Sequence, residues 1–420
     1  TLKKLEPGYA VSFSDGKKFE MTTDIQKLRM QADSFTENGS KLFDKYHEDV
    51  RVKFESSRST FIERDFASLW EMIGWNEMSA AMKIKPLGNA YQHLYRIFKD
   101  PHLATALSCQ ALYLGQAPQK TPALYNLLAY SEFTYGIWYP MGGMRQIPLA
   151  LEKVFKEMGG EIQLNAPVKK ITVEAGRASG VILENGVQYH SDAVVSNRDL
   201  PASYTNFIEE QERPKVTNQK INRWNYGCST FMIYLGLSKR LKNILHHNLL
   251  VTKDFGRPID QIFNQGTLPD EPLLYVCCPT KTDPSLAPEG HEALYILCIV
   301  PNLNGKVDWT KDRAEFRKRV FKRIHQAGIE FEESDIQMEE QFSPEDFRDL
   351  YGTHLGTAFG LAPDFLQSAA FRPSIKSKDI RGLYHVGMST HPGGGIPMVL
   401  TCGKLCAHRI RQDFSEMAVS

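Results

Sequence analysis

Hydrophobic positions along this chain change their spacing several times, and each change marks a different kind of element. Over residues 9 to 20 apolar and polar side chains alternate, Tyr9-Ala10-Val11-Ser12-Phe13, then Asp15-Gly16, which predicts a hairpin. From Asp24 to about Phe54 the spacing becomes helical, through Ile25, Leu28, Phe35, Leu42, Phe43 and Tyr46, with Asn38-Gly39 as the turn of a surface helix pair. Residues 61 to 115 also read as helical and carry two aromatic clusters. The first is Phe66, Leu69, Trp70, Met72, Ile73 and Trp75; the second is Tyr91, Leu94, Tyr95 and Phe98, with Lys83 and Lys85 between them. Such a pattern suits either a domain core or a helix resting on a membrane interface.

A different texture begins at Tyr139. Tyr139-Pro140-Met141-Gly142-Gly143-Met144 reads as a turn, and Ile147 to Met158 as a helix closed by Gly159-Gly160. Three strand-like runs follow, Glu161 to Leu164, Val168 to Val173 and Ala178 to Leu183. Asn185-Gly186 then turns into Val187-Gln188-Tyr189, and Asp192 to Ser196 reads as a buried strand. Ser229 to Leu237, Leu249 to Val251, Leu273 to Cys278 and Ala293 to Val300 predict a second, mainly antiparallel sheet roofed by helices. Asp312 to Ala327 is amphipathic, with Arg317, Lys318 and Arg319 expected on a solvated face.

Near the end, Gly382 to Gly387 reads as a short buried strand. Met388-Ser389-Thr390-His391-Pro392-Gly393-Gly394-Gly395-Ile396-Pro397 is a glycine-rich turn, and a helix starts beyond it. Three consecutive glycines let backbone N–H groups face a ligand with no Cβ in the way. Pro397 suits a first helical turn, and the helix would aim its positive end at the same place. The turn is a candidate phosphate or cofactor cradle; the alternative is a tight corner without a ligand.

Composition narrows the function classes. The 420 residues are 42% apolar and 24% charged, enough for a sizeable core. With 50 basic against 49 acidic residues the net charge is +1, so no bulk attraction to nucleic acid is expected and any membrane contact must be local. Seven scattered cysteines do not form a disulfide framework and lack zinc-ligand spacing; buried free thiols in a reducing compartment are expected, with no metal. No run of about eighteen apolar residues, the length needed to span a bilayer, is present.

The order of the Tyr139 turn, the helix to Gly160, the Val168 strand, Val194-Val195-Ser196-Asn197 and the Gly387 to Pro397 motif resembles the bacterial carotenoid (phytoene-type) desaturases. These are FAD-dependent amine-oxidase-like flavoproteins. Ser389 to Thr401 is most similar to the branch acting on dehydrosqualene (4,4'-diapophytoene). Gly356 to Pro363, Phe371-Arg372-Pro373, Leu286 to Gly290 and His247-Asn248 add to the match, which covers essentially the whole chain.

The resemblance implies an α/β flavoprotein with an interrupted Rossmann-type domain, a mainly antiparallel substrate-domain sheet and a helical membrane-facing region. It divides the chain into 1–60 (substrate-domain hairpin and helices), 61–138 (helical entry region), 139–200 (part of the FAD domain), 201–372 (substrate domain) and 373–420 (C-terminal part of the FAD domain). The Gly-x-Gly-x-x-Gly fingerprint of such domains is not found in these residues. Leu5-Glu6-Pro7-Gly8-Tyr9 matches just after that unit would end, so the chain is expected to be N-terminally truncated, without the first βαβ unit. By resemblance, Val168 presents its backbone to the adenine and Gly387 and Met388 approach the pyrophosphate and ribityl chain. Gly394, Gly395, Ile396 and Pro397 bring helix N–H groups to the flavin, and Gly142 and Gly143 lie on the substrate side.

The implied reaction is FAD-dependent desaturation of 4,4'-diapophytoene or phytoene in carotenoid biosynthesis. The alternatives are a terminal-methyl oxygenase of the same family and a flavin-less carotenoid-binding relic. Desaturation needs a greasy tunnel more than an acid–base pair. His391, the ionisable side chain in the motif, is the candidate catalytic group, its other role being to shape the turn. The expected partners are a lipophilic carotenoid precursor and a membrane surface, and the expected location is cytoplasmic and peripherally membrane-attached.

Overall fold

The computed structural model describes residues 1–65, 88–368 and 371–419. The aromatic cluster Phe66 to Trp75, with Lys83 and Lys85, lies outside the described residues. The chain opens with strands β1 (Leu2–Leu5), β2 (Tyr9–Phe13) and β3 (Lys18–Met21), then helices α1 (Ile25–Phe35) and α2 (Gly39–Ser57). Helices α3 (Ala90–Phe98), α4 (Pro101–Ala106) and α5 (Leu127–Tyr135) precede β4 (Ile137–Pro140) and α6 (Gln146–Glu157). Next come β5 (Val168–Glu174), β6 (Arg177–Leu183), β7 (Gln188–His190), β8 (Val194–Ser196) and α7 (Leu200–Phe207). The second half holds β9 (Ser229–Leu237), β10 (His247–Val251), β11 (Leu274–Cys277), β12 (Glu292–Val300), α8 (Trp309–Gln326) and β13 (Ile336–Phe342). It closes with β14 (Leu383–His385) and α9 (Ile396–Val419).

Helix starts follow capping chemistry. The Asp24 carboxylate accepts from the N–H groups of Gln26 and Lys27, and Asn89 from that of Gln92. Asp100 caps α4, whose first position is Pro101.

A seven-stranded sheet in the order β13-β9-β12-β11-β10-β2-β3 dominates the fold. It is antiparallel except where β10 runs parallel to β2, Asn248 opposite Ala10 and Val251 opposite Phe13. Its side chains alternate between two cores. On one face Phe231, Ile233, Val276 and Ile296 pack under Trp309, Phe316 and Ile324 of α8. On the other, Val11, Leu249, Val251 and Ile299 meet α1 to α5 through Leu28, Phe43, Leu94 and Phe133. Leu94 and Phe98 of the second aromatic cluster are thus core residues, while Tyr91 stacks on Tyr95 with ring centres 6.3 Å apart.

Three smaller sheets accompany this body, the first an antiparallel pair of β1 and β4 with Leu2 opposite Pro140. Strands β5-β6-β7 form an antiparallel meander, and β8 pairs with β14 in parallel, Val194 opposite Leu383. Glu161 to Leu164, expected as a strand, is not one. No neighbour among the described residues offers it a ladder, and Leu164 is 78% exposed. Helix α6 has the predicted amphipathic pattern but buries none of its residues; Leu151, Val154 and Phe155 are exposed. Val195 on β8 is exposed as well, so that strand is buried on one face. On α8, Arg317 is not part of a solvated face but grips Glu339 and Glu333 (Nε–Oε1 and Nη1–Oε1 both 2.7 Å). All seven cysteines are free and buried. Among the described residues no helix is long and apolar enough to cross a membrane.

Candidate functional site

The glycine-rich turn leaves β14 at Val386 and enters α9 at Ile396, the strand–turn–helix that its spacing predicts. Gly387, Gly393 and Gly395 have φ of +127°, +134° and +102°, values that a side chain resists. A Cβ at Gly395 would meet nothing within 4 Å, and Gly395, Ile396 and Pro397 are exposed at the helix start. Gly387, Met388 and Gly394 are half-buried beside them. The turn is therefore an open cradle rather than a corner filled by its own side chains.

Its shape is held from beneath by residues the sequence reading did not assign. The Arg372 guanidinium, 5% exposed, donates from Nε to Thr390 O (3.1 Å) and from Nη1 to Gln367 O (3.2 Å). Its Nη2 donates to Leu361 O (3.1 Å) and to Met388 O. The Asp199 carboxylate accepts from Ser389 Oγ (2.7 Å) and the His354 N–H (2.8 Å). The Phe371-Arg372-Pro373 triplet was noted as part of the resemblance; its physical role is to staple this turn.

His391 is buried in the same turn. Its N–H donates to Pro373 O (3.0 Å) and its Nε2 meets Arg64 O at 2.9 Å. Val168 starts β5 opposite Leu183, away from the Gly387 turn in sequence and half-buried. Gly142 and Gly143 adopt φ of +89° and +92°; the Gly142 N–H donates to Asp283 Oδ2 at 2.6 Å.

A cavity of about 320 Å³ opens between the large sheet and the helix layer. Leu249, Tyr275, Leu297 and Ile299 line it from the sheet, and Leu112 and Phe359 from loops. Phe359 is followed by Gly360, where a Cβ would lie 2.5 Å from Ser389 Oγ and 2.9 Å from Met388 Cγ. One residue thus separates the cavity wall from the glycine turn.

Polar groups enter this apolar space at two places. At one, Tyr9 Oη donates to Glu132 Oε2 (2.8 Å) and Gln110 Nε2 donates to the same oxygen (3.0 Å). At the other, His247 Nδ1 lies 2.6 Å from Tyr275 Oη, and Tyr295 Oη donates to Tyr275 Oη at 3.3 Å. His246 sits behind, its Nδ1 2.6 Å from Thr282 Oγ1 and its ring 4.6 Å from that of Tyr139. Burial holds the His246 pKa down to about 4 and that of His247 to about 3, so both imidazoles are neutral at neutral pH. The fold also brings a ligand atom of each of His246, His247 and Cys277 within 4.8 Å of one another, a proximity that Cys and His spacing did not suggest.

Comparison with known proteins identifies the family. Residues 1–411 match the family of flavin containing amine oxidoreductases. The chain is 34% identical over 412 residues to a zeta-carotene-forming phytoene desaturase of Myxococcus xanthus, covering 98% of this chain and 79% of that one. It is 31% identical over 420 residues to a 4,4'-diapophytoene desaturase (4,4'-diaponeurosporene-forming) of Staphylococcus haemolyticus, covering 98% and 83%. Among solved structures, an oxidoreductase from Methanosarcina mazei superposes with a TM-score of 0.59 at 16% identity, covering 97% of this chain and 82% of that one. The open glycine cradle leaves room for a flavin, and the chain belongs to the flavin-containing amine oxidoreductase family.

Proposed function

We propose that this chain is an FAD-dependent desaturase of a long apolar isoprenoid, 4,4'-diapophytoene or phytoene, in carotenoid biosynthesis. The observation that carries this reading is the hydrocarbon-lined cavity of about 320 Å³ whose wall, at Phe359-Gly360, abuts the glycine turn. Relatives named as desaturases of both precursors support the substrate class. A bound flavin supplies a two-electron acceptor for hydride. Val168 would offer its backbone to the adenine, and Gly387 and Met388 theirs to the pyrophosphate and ribityl chain. Gly394, Gly395, Ile396 and Pro397 would turn helix N–H groups to the ring, with Gly142 and Gly143 on the substrate side. For His391, the bonds to Pro373 and Arg64 favour shaping the turn over proton transfer.

The protein's own part in the reaction is to align an apolar chain and to exclude water. Both tasks suit a cavity between a sheet and a helix layer. A substrate dissolved in lipid argues for peripheral membrane attachment, which liposome flotation tests; a protein that stays wholly in the soluble fraction refutes that attachment. The decisive experiment is pigment analysis in bacteria that make 4,4'-diapophytoene or phytoene and express the protein. Products lighter by successive pairs of hydrogens, with lengthening absorption, are expected. Unchanged precursor in cells where the protein accumulates refutes the desaturase reading. Oxidation of the terminal methyl of a coloured carotenoid would identify the oxygenase instead.

A further inference from the structure

One carboxyl group stands in the hydrocarbon cavity. Glu132 lies in α5, Leu-Leu-Ala-Tyr-Ser-Glu-Phe-Thr-Tyr, a segment otherwise apolar or uncharged. Tyr9 and Gln110 both donate to its Oε2, and Gln110 Nε2 also lies 3.1 Å from the Tyr9 oxygen, so the three form a closed triangle. Both donors use Oε2; among the described residues none donates to Oε1, which can take a proton. Tyr113 lines the same cavity.

A carboxyl desolvated without a cation is an expensive thing to keep, and such groups concentrate where chemistry needs them. Burial raises the Glu132 pKa to about 7, against the two hydrogen bonds, which pull it down; among the described residues no cation contributes. The other titratable groups around it come from three elements. Tyr9 is on β2, Tyr46 on α2, and Cys109 and Tyr113 in the turn over 109–114. Burial pushes all four upward, Cys109 to about 12, so they are neutral at pH 7. Across the cavity His247 is neutral too, at about 3, and burial raises Tyr275. Among the described residues that line the cavity, Glu132 is the group whose charge changes near neutrality.

Resting on the desaturase reading, we propose that Glu132 is the catalytic base, the group in the cavity wall that receives the proton when the new double bond forms. The step balances. One allylic C–H bond breaks with its electron pair, and the hydrogen leaves as hydride to the two-electron acceptor. The neighbouring C–H bond breaks, its electron pair becomes the π bond, and H⁺ passes to Glu132. Positive charge developing on the hydrocarbon in a dry cavity is stabilised by a carboxylate, which neutral Tyr9, Tyr113 and His247 cannot match. Tyr9 and Gln110 are positioning residues that fix the carboxylate and keep part of it ionised. Glu132 must lose its proton before the next turnover, so the rate should rise with pH through about 7.

The test uses flavin-loaded protein and Glu132→Gln, which keeps the shape and can still accept from Tyr9 and Gln110. Folding and retention of the colourless precursor should be unchanged. Desaturation should fall roughly 10²- to 10⁴-fold, and the rise with pH should vanish. Tyr9→Phe removes a bond that favours the carboxylate and should move the rise about one pH unit alkaline. Without turnover, infrared difference spectra should show a carboxylic-acid C=O band titrating near pH 7 in the wild type and absent from Glu132→Gln. Wild-type rates or a wild-type pH profile in Glu132→Gln overturn the proposal. If that variant does not fold, an unmoved pH profile in Tyr9→Phe overturns it. A wild type that makes no product from either precursor refutes the desaturase reading, and this role with it; a productive wild type beside a productive Glu132→Gln refutes this role alone.

Discussion

Replacing Arg372 by methionine should loosen the glycine turn proposed to hold the cofactor without touching any glycine in it. The side chain is buried, and its guanidinium donates to the carbonyls of Thr390, Gln367, Leu361 and Met388. Hydrogen bonds from a charged donor are worth about 1.5–3 kcal/mol each, so four represent a gross loss of roughly 6–12 kcal/mol. Against this, methionine relieves the desolvation of a cation whose pKa burial already pulls down, an offset of several kcal/mol. Some of the freed carbonyls will also recover water where the turn is open. The net cost should be about 3 kcal/mol, concentrated at Met388 to Thr390. It should appear as a melting temperature lower by roughly 5 °C and as flavin lost during purification. Arg372→Lys should fall between, because an ammonium keeps the charge but cannot reach four carbonyls in one plane. Circular-dichroism melting and the flavin-to-protein absorbance ratio read both effects. An Arg372→Met protein that melts within about 1 °C of wild type would refute the idea that this arginine holds the turn.

Three further outcomes are expected. His385 is 1% exposed, its ring nitrogens meet no hydrogen-bond partner among the described residues, and burial holds its pKa down to about 3. The folded protein keeps it neutral while the unfolded chain takes a proton near 6.5. Stability is therefore full above that value and falls as pH drops from it toward 3, by at most about 1.4 kcal/mol per pH unit. Urea midpoints should fall less between pH 7 and 5 for His385→Leu than for wild type, and equal falls would count against the assignment. Gly180→Ala puts a Cβ 1.9 Å from Tyr189 O and should unfold the β5-β6-β7 meander, whereas Gly186→Ala, with open space around it, should cost only about 1 kcal/mol; similar melting curves for the two would be a contrary result. Leu297→Trp should fill part of the cavity and abolish precursor retention at unchanged circular dichroism, and full retention would show that the hydrocarbon binds elsewhere.

What could be read from the sequence divides by how far along the chain a feature is spread. The glycine turn occupies contiguous residues from Gly387 to Pro397, and its glycines, proline and flanking apolar runs announce a strand, an open turn and a helix together. Strands β9 and β12 were legible for the same reason: each is a long local run, and together they form a nine-pair ladder from Ser229–Val300 to Leu237–Glu292. The pairing of β2 with β10, Ala10 opposite Asn248, has no local signature, because nothing in either strand names a partner so distant. Glu161 to Leu164 failed the other way: the run carries strand propensity, yet a strand exists only if a neighbour accepts its backbone bonds.

The cavity is the extreme case. Its carboxyl triangle joins residues 101 and 22 positions apart, so no motif could contain it. One signal was available all the same: a single glutamate inside the apolar segment from Leu127 to Tyr135, where amphipathic patterning would put charge on an outer face. A helix with no polar face has nowhere to send such a side chain except into its contacts. Burial then obliges the fold to supply hydrogen bonds, and Tyr9 and Gln110 are those bonds. Arg372 follows the same logic, a buried charge answered by four carbonyls. In both places the cost of desolvation turns a composition oddity into a structural commitment. One of these charges holds the glycine turn, and the other faces the apolar cavity.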